Sequence, residues 1–184
     1  MTPALSLEAI ERLASQRQLK LRLQAGGGVG IRTLRVGVAR SLGEGRALLL
    51  GELKGWCLPV ADGLQLDTMR VQGERTEAVG TLLWAATFAW ALETTPCRRA
   101  RLLAIRDDDH QHRRLVRYFR QLGFQPVREV GAAVTDLPLR LVWGGAGLLM
   151  QGDCAEGLRR CGRRLGAADP AAPDLAAPDQ SGPA

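Results

Sequence analysis

One segment restricts the fold of this chain more than any other. Residues 77–93, EAVGTLLWAATFAWALE, carry apolar side chains on every side of a predicted helix. At about 100° per residue, Val79 and Leu83 lie on one side of that helix, and Trp84 and Phe88 lie on the opposite side. A helix at the surface of a domain has one apolar and one polar side. The sequence therefore predicts a central helix that the rest of the chain must cover.

The segments on either side of this helix alternate between strand and helix patterns. Apolar runs predict seven strands, over 19–24, 31–39, 46–53, 64–71, 100–105, 124–130 and 137–143. Helical spacing is found over 5–17, where Ser6 is the predicted cap, from 107 to Leu122, and over 154–165. Strand–helix–strand connections imply parallel pairing around 64–71 and 100–105. The order predicts a single α+β (mixed α/β) domain.

The charged residues are distributed unevenly along the chain. Residues 166–184 are rich in Ala, Pro and Asp and cannot bury enough apolar surface to fold, so they are predicted to form a disordered tail. The domain, 1–165, then holds all 25 basic residues and 16 of the 19 acidic ones, a net charge of +9. Such a charge indicates an anionic partner: the phosphates of a nucleotide or coenzyme, nucleic acid, or a membrane surface.

Other features of the sequence predict a soluble, cytoplasmic protein. The four cysteines are scattered without a C-x-x-C pair, which is typical of reduced thiols. The N-terminal residues carry charges throughout and lack the apolar stretch of a signal peptide. The longest uncharged run, 78–92, is shorter than the ~20 residues that a membrane-spanning helix needs.

The fourth predicted strand, LQLDTMRV, changes its apolar parity. Leu64 and Leu66 share one face of a strand, whereas Met69 and Val71 fall on the other parity. An inserted bulge residue near Asp67 or Thr68 would restore a common face. The alternative is a strand that is buried on both faces near its end.

The junction between this strand and the central helix could bind a phosphate. Free backbone N–H groups at the start of a helix, together with the helix dipole, attract anions. Small residues at Ala78 and Gly80 would allow close approach to the backbone.

Two motifs around this junction resemble a known family. RTEAVG, from Arg75 to Gly80, is similar to the R/Q-x-x-G-x-G/A coenzyme A motif of the GNAT N-acetyltransferase superfamily, and YFRQLGF resembles its LYEKLGF segment. The strand, loop, central helix, strand and helix between these motifs follow in the family's order. The resemblance, to a divergent member of the superfamily, implies a GNAT-like fold with a mixed α+β sheet of about seven strands, a buried central helix and flanking helices.

The same resemblance implies the co-substrate, acetyl-CoA, and where it binds. Its pantetheine arm would pair with the backbone at Met69 and Val71, using the bulge that separates two strands in this family. Its pyrophosphate would lie against the backbone of six residues, Arg75, Thr76, Glu77, Ala78, Val79 and Gly80. The implied activity is an acyl-CoA-dependent N-acyltransferase that acts on an unidentified amine.

The implied reaction needs a base for the amine and an acid for the departing thiolate. Asp67, beside the predicted bulge, is the candidate base, and Glu52 is a second candidate, although either could be an ordinary solvated or paired carboxylate. Phe119 stands where the family often has its tyrosine acid. Tyr118, one residue earlier, is the candidate acid, although it lies about 100° round the helix.

Three departures from the family pattern leave a second interpretation open. Ala78 replaces a usual glycine, Phe119 replaces the usual tyrosine, and AGGGVG stands where the family has two helices. The alternative is a non-catalytic GNAT-fold module that contacts a protein or nucleic acid through its basic face.

The segment DDDHQHRRLVRYFRQLGF contains the remaining candidates. His110 and His112 are about 200° apart on a helix and cannot share a metal ion, so no metal site is predicted. The aspartates are predicted to cap the helix through Asp108 or Asp109. The arginines at 113, 117 and 120 share one side, which is interpreted as a solvated helix face rather than a nucleic-acid stripe.

Overall fold

The computed structural model describes residues 5–73 and 76–167. The helices are α1 (Leu7–Gln16), α2 (Thr76–Thr94), α3 (Asp109–Gln121), α4 (Leu137–Trp143) and α5 (Cys154–Ala167). The strands are β1 (Leu19–Gly27), β2 (Arg32–Gly43), β3 (Arg46–Cys57), β4 (Leu64–Val71), β5 (Arg99–Ile105), β6 (Gln125–Val130) and β7 (Gly147–Asp153).

The strands form one mixed sheet of seven strands in the order β1-β2-β3-β4-β5-β7-β6. Only β4 and β5 pair in parallel, through the crossover that α2 makes, and the other neighbours are antiparallel. The predicted α+β class and the parallel pairing of the fourth and fifth strands are confirmed. A sheet of seven strands with a buried central helix and flanking helices is the architecture that the resemblance implied.

Helix α2 lies at the centre of the molecule, as predicted. It packs against β2, β3 and β4 on one side and against α1 and α5 on others. Its large side chains are buried almost completely, including Val79, Leu82, Leu83, Trp84, Phe88 and Trp90. At about 1.5–3 kcal/mol for each large apolar side chain, this burial is the main source of stability in the fold.

The two faces of the sheet differ. Helices α1, α2, α3 and α5 cover one face, where Leu53 and Leu66 are buried. Because side chains alternate along a strand, Lys54 and Trp56 of β3 point to the other face. On that face α4 covers only the end at β5 and β7, where Leu139 and Trp143 pack on a small second core formed by Leu103, Val130 and Leu149. Within residues 5–73 and 76–167, no helix covers the part of that face formed by β1–β4.

The prediction of a seventh strand over 137–143 is wrong. This segment is helix α4, and the last strand is β7, which lies between β5 and β6. Pro138 stands in the first turn of α4, where its missing N–H costs no hydrogen bond, whereas a central strand would lose one. Gly144 ends the helix in the left-handed region, with φ of 75°, and its N–H donates to the carbonyl of Arg140 at 2.7 Å.

Helix α1 begins and helix α5 ends near the positions that the sequence predicts. The side chain of Ser6 accepts a hydrogen bond from the N–H of Ala9 at 3.2 Å, so the predicted cap of α1 is confirmed. Helix α5 ends at Ala167, past the predicted domain boundary at residue 165. The rest of the predicted tail, 168–184, lies outside the described residues.

The contact between α2 and α5 gives a test of this packing. A Cβ atom on Gly157 would lie 2.5 Å from the ring of Phe88, which is itself buried beside Trp84 and Phe124 and cannot swing away. We expect Gly157→Ala to lower the free energy of unfolding by about 1–2 kcal/mol, because overpacking outweighs the gain in helix propensity. Urea denaturation monitored by circular dichroism measures the change.

The matched control is Gly166→Ala in the same helix, where an added Cβ atom meets nothing within 4 Å. This variant should keep or slightly raise the free energy of unfolding. Equal effects of the two substitutions would contradict the close packing of α5 on α2.

Candidate functional site

Strands β4 and β5 separate part of the way along their length. Their parallel pairing runs only from Leu64 opposite Ala100 to Leu66 opposite Leu102. Beyond these residues β4 continues to Val71 and β5 continues to Ile105 without pairing to each other. Backbone N–H and C=O groups that lack a neighbouring strand must find other partners, so the gap between the two strands can accept an extended ligand.

The separation begins at a β-bulge whose extra residue is Asp67. In the antiparallel pairing with β3, Lys54 lies opposite Thr68 and Gly55 lies opposite Leu66, which leaves Asp67 without an opposite residue. The bulge predicted from the parity change is therefore confirmed. It also brings Met69 and Val71 to the α2 side of the sheet, where they pack against the main core.

Asp67 lines a pocket on the face of the sheet opposite to α2. The pocket has a volume of about 550 Å³. Its polar and aromatic lining comes from three strands: Gln24 of β1, Thr33 and Arg35 of β2, and Lys54 and Trp56 of β3. The pocket therefore adjoins the point at which β4 and β5 separate.

On the other side of the sheet, residues of β4, α2 and α3 meet at the gap. A Cβ atom on Gly80 would lie 3.4 Å from Met69 Cε and 3.4 Å from the hydroxyl of Tyr118. The indole Nε1 of Trp84 donates a hydrogen bond to that hydroxyl at 2.8 Å. Burial raises the pKa of Tyr118, although the hydrogen bond from Trp84 opposes the shift, so the phenol is protonated at neutral pH.

Phe119 does not reach this site. Its ring belongs to an aromatic cluster in the core, 6.0 Å from the ring of Trp84 and 6.0 Å from that of Phe124. Of the two candidate positions on α3, Tyr118 is thus the one that points to the gap.

The start of α2 lies at the carboxyl end of β4. The connecting loop is held to β3, since the N–H of Gln72 donates to the carbonyl of Leu50 at 2.9 Å. In the first turns of α2, Glu77 is exposed, Ala78 is half-buried, and Val79 and Gly80 are buried. The first N–H groups of a helix have no partner within it and can bind an anion. Arg75 lies outside the described residues, and of Thr76 only the backbone is described.

Glu52, the second candidate base, is a paired carboxylate. It forms an ion pair with Arg35 and a second one with Lys54 at 3.3 Å. The hydrogen bond from Arg35 holds the pKa of Glu52 below its usual range, with a smaller effect of the same sign from Lys54. A carboxylate stabilised in its charged form is a weak base, and this argues against Glu52 in that role.

The histidine-rich segment at the start of α3 has a structural role. The side chain of Asp108 accepts hydrogen bonds from the N–H groups of His110 and Gln111, both at 2.9 Å, which confirms the predicted cap. His112 is buried, and its Nδ1 lies 3.2 Å from the carbonyl oxygen of Ile105. Arginines 113, 117 and 120 line one cavity of about 330 Å³ beside His112, so they share one face, as predicted.

The described residues give no support for metal or thiol chemistry. Within 5–73 and 76–167, no three His, Cys, Asp or Glu side chains converge as metal ligands. Burial raises the pKa of Cys57 to about 11 and that of both Cys154 and Cys161 to about 12, so these thiols are not nucleophiles at neutral pH. No helix in the described ranges is long and apolar enough to cross a membrane.

The sequence-based reasoning missed most of the pocket around Asp67. Arg35, Lys54 and Trp56 were not identified as site residues. The third strand was predicted to end at residue 53, whereas β3 continues to Cys57, and alternation along the longer strand places Glu52, Lys54 and Trp56 on one face. Trp84 was also missed as the partner of Tyr118, because nothing in an apolar helix distinguishes one tryptophan from the next.

Comparisons with known proteins give similarity only at the level of structure. No protein-family model and no curated protein matches the chain. The structure is similar to that of an aminoglycoside 6'-acetyltransferase type Ii, with 20% identity over 65% of this chain and 69% of that chain, and a TM-score of 0.44. It is also similar to an uncharacterized protein from Bacillus halodurans (12% identity, 77% and 68% covered, TM-score 0.48). A third similar structure is the aminoglycoside 6'-N-acetyltransferase from Enterococcus faecium (15% identity, 65% and 73% covered, TM-score 0.42).

The charge pairing of Glu52 gives a pH-dependent test. Because its pKa is lowered in the folded state, its ionised form stabilises the fold above the unfolded pKa of about 4.3, and this contribution is lost as the pH falls further. We expect Glu52→Gln to lower the free energy of unfolding at pH 7 by about 1 kcal/mol, and the difference from the wild type to shrink below pH ~4. Urea denaturation between pH 3 and pH 7 measures this difference in the free energy of unfolding.

The control is Glu44→Gln, which removes an exposed ion pair with Arg46. It should have almost no effect on the free energy of unfolding at any pH in this range.

Proposed function

We propose that this chain is an acyl-CoA-dependent N-acyltransferase, with acetyl-CoA as the acyl donor and an amine as the acceptor. The observation that carries the proposal is the gap between β4 and β5, which starts at the Asp67 bulge and leads to the start of α2. A gap between strands suits an extended, amide-containing arm, and the start of a helix suits a pyrophosphate.

The residues around the gap fit the two halves of the donor. Beyond the bulge, the backbone of β4 at Met69 and Val71 lacks pairing with β5 and would bind the pantetheine arm. Backbone N–H groups from Arg75 to Gly80 would bind the pyrophosphate, and the absence of a side chain at Gly80 lets Met69 and Tyr118 pack close to the start of α2. The bound donor would supply a thioester as the electrophile.

Asp67 and Tyr118 lie on opposite sides of the sheet, and both border the gap. An acceptor amine in the Asp67 pocket could transfer a proton to that carboxylate as its nitrogen bonds to the acyl carbon. The carbon–sulfur bond then breaks, and the departing thiolate takes a proton from the Tyr118 hydroxyl. This division of roles uses an acid that burial keeps protonated and a base that solvent can reach.

Donor binding is the first prediction of this proposal. Isothermal titration calorimetry with acetyl-CoA should show saturable binding at one site per chain, since the gap and the start of α2 occur once. Gly80→Val should weaken this binding about tenfold or more, because its side chain would displace Met69 and Tyr118, which lie 3.4 Å from the position of the added Cβ atom. Gly162→Val in α5 is the control, and denaturation curves of both variants exclude unfolding. Absence of saturable acetyl-CoA binding to the wild type would favour the non-catalytic alternative.

The assignment of base and acid is tested by turnover. Asp67→Asn and Tyr118→Phe should each lower kcat about 100-fold, within the range for loss of general acid–base catalysis, while the Kd for acetyl-CoA changes little. Release of free thiol with an amine panel measures kcat. The exposed carboxylate Asp107, changed to Asn, is the control and should leave kcat unchanged. A kcat for Asp67→Asn within twofold of the wild type would exclude Asp67 as the base.

A further inference from the structure

The pocket that Asp67 lines contains charges of both signs at defined places. Arg35 and Lys54 lie opposite each other on β2 and β3, and both contribute to the wall. Asp67 lies at the β4 side, next to Thr68, which is opposite Lys54. The pocket therefore places a negative group near the gap and positive groups farther toward β2.

The positive side of the pocket is only partly neutralised. Arg35 and Lys54 both pair with Glu52, so two cations share one carboxylate. The side chains of Arg35 and Lys54 remain 57% and 48% exposed, whereas that of Glu52 is 16% exposed. Each side chain has more N–H donors than its pair with Glu52 uses, so exposed donors of both residues can bind a second carboxylate.

The rest of the pocket limits the size and character of a ligand. Its volume of about 550 Å³ falls in the range of pockets that hold small molecules, and Trp56 and Ile31 contribute apolar surface. A polycationic amine would bring further positive charge against Arg35 and Lys54, which disfavours such an acceptor.

We infer that the acceptor is a small amine that also carries a carboxylate, such as an α-amino acid, with its amino group at Asp67 and its carboxylate at Lys54 and Arg35. This inference rests on the proposed function. It makes Lys54 a specificity-determining residue rather than a catalytic one. The charge arrangement selects zwitterionic acceptors over amines that have no acidic group.

The inference is tested first with matched acceptors. Thiol release from acetyl-CoA by the full chain is compared for leucine and leucinamide, for phenylalanine and phenylalaninamide, and for spermidine. The amides keep the amine and the side chain but lose the negative charge. We expect kcat/KM for each amino acid to exceed that for its amide by about 10- to 100-fold, the range for a hydrogen bond to a charged group. Spermidine should be a poorer substrate than either amino acid.

The second test compares the only two lysines of the chain, Lys20 and Lys54. Lys20 is exposed on the same face of the sheet in β1, but it does not line the pocket. We expect Lys54→Met to raise KM for the amino acids about tenfold or more and to leave KM for the amides unchanged. Lys20→Met should change neither, and the KM for acetyl-CoA should be the same in all three proteins.

The outcomes separate the inference from the proposed function. Absence of acetyl-CoA binding overturns both. If acetyl-CoA binds and turns over but the amides or spermidine are the better acceptors, the acceptor class alone is wrong. The same conclusion follows if Lys54→Met changes KM equally for amino acids and amides, or if Lys20→Met has the same effect as Lys54→Met.

Discussion

The burial of α2 on all its sides is the constraint on which the rest of the structure depends. A helix with Val79 and Leu83 on one side and Trp84 and Phe88 on the other has no side that water can solvate without cost. Strands β2, β3 and β4 of the sheet therefore pack on one side of α2, and α1 and α5 pack on its other sides. Because four helices (α1, α2, α3 and α5) pack on this face, few elements are left for the opposite face, where α4 is the helix of the described ranges that packs, on the end at β5 and β7. The open area over β1–β4 that contains the pocket is a consequence of this distribution.

The candidate site depends on a single inserted residue in β4. The bulge at Asp67 shifts the register of β4 against β3 and coincides with the end of the pairing between β4 and β5. Without it, β4 and β5 could remain paired along their length, and no gap would connect the two faces of the sheet. The same residue carries its carboxylate to the open face while Met69 and Val71 return to the core side. One bulge thus supplies the gap, the acidic group beside it and the continued burial of the strand.

How much of this the sequence predicts depends on how local the determining interactions are. The apolar helix, the bulge at 67 and the cap at Asp108 are set by residues close in sequence, and all three were predictable. The segment 137–143 was misassigned because alternating Leu137, Leu139 and Leu141 resemble a strand, although the proline and the glycine at its ends are signals of a short helix. The true last strand, GLLMQGD, is a short apolar run between glycines whose pairing with β5 and β6 depends on contacts distant in sequence. The pocket was likewise hidden, since the proximity of Arg35, Lys54 and Asp67 depends on the register of three strands.

The assignment of Tyr118 shows where local reasoning stops. Residues 118 and 119 differ by about 100° on the helix, so one of the two rings must enter the core and the other must lie at its border. Packing decides which, because the ring of Phe119 packs against both Trp84 and Phe124, whereas a phenol there would bury a hydroxyl that needs a partner. Trp84 contacts both residues: its ring packs edge-on against Phe119 and its Nε1 donates to the Tyr118 hydroxyl. The central helix that determines the fold therefore also fixes the Tyr118 hydroxyl beside Gly80 and Met69, because the core holds the ring of Phe119.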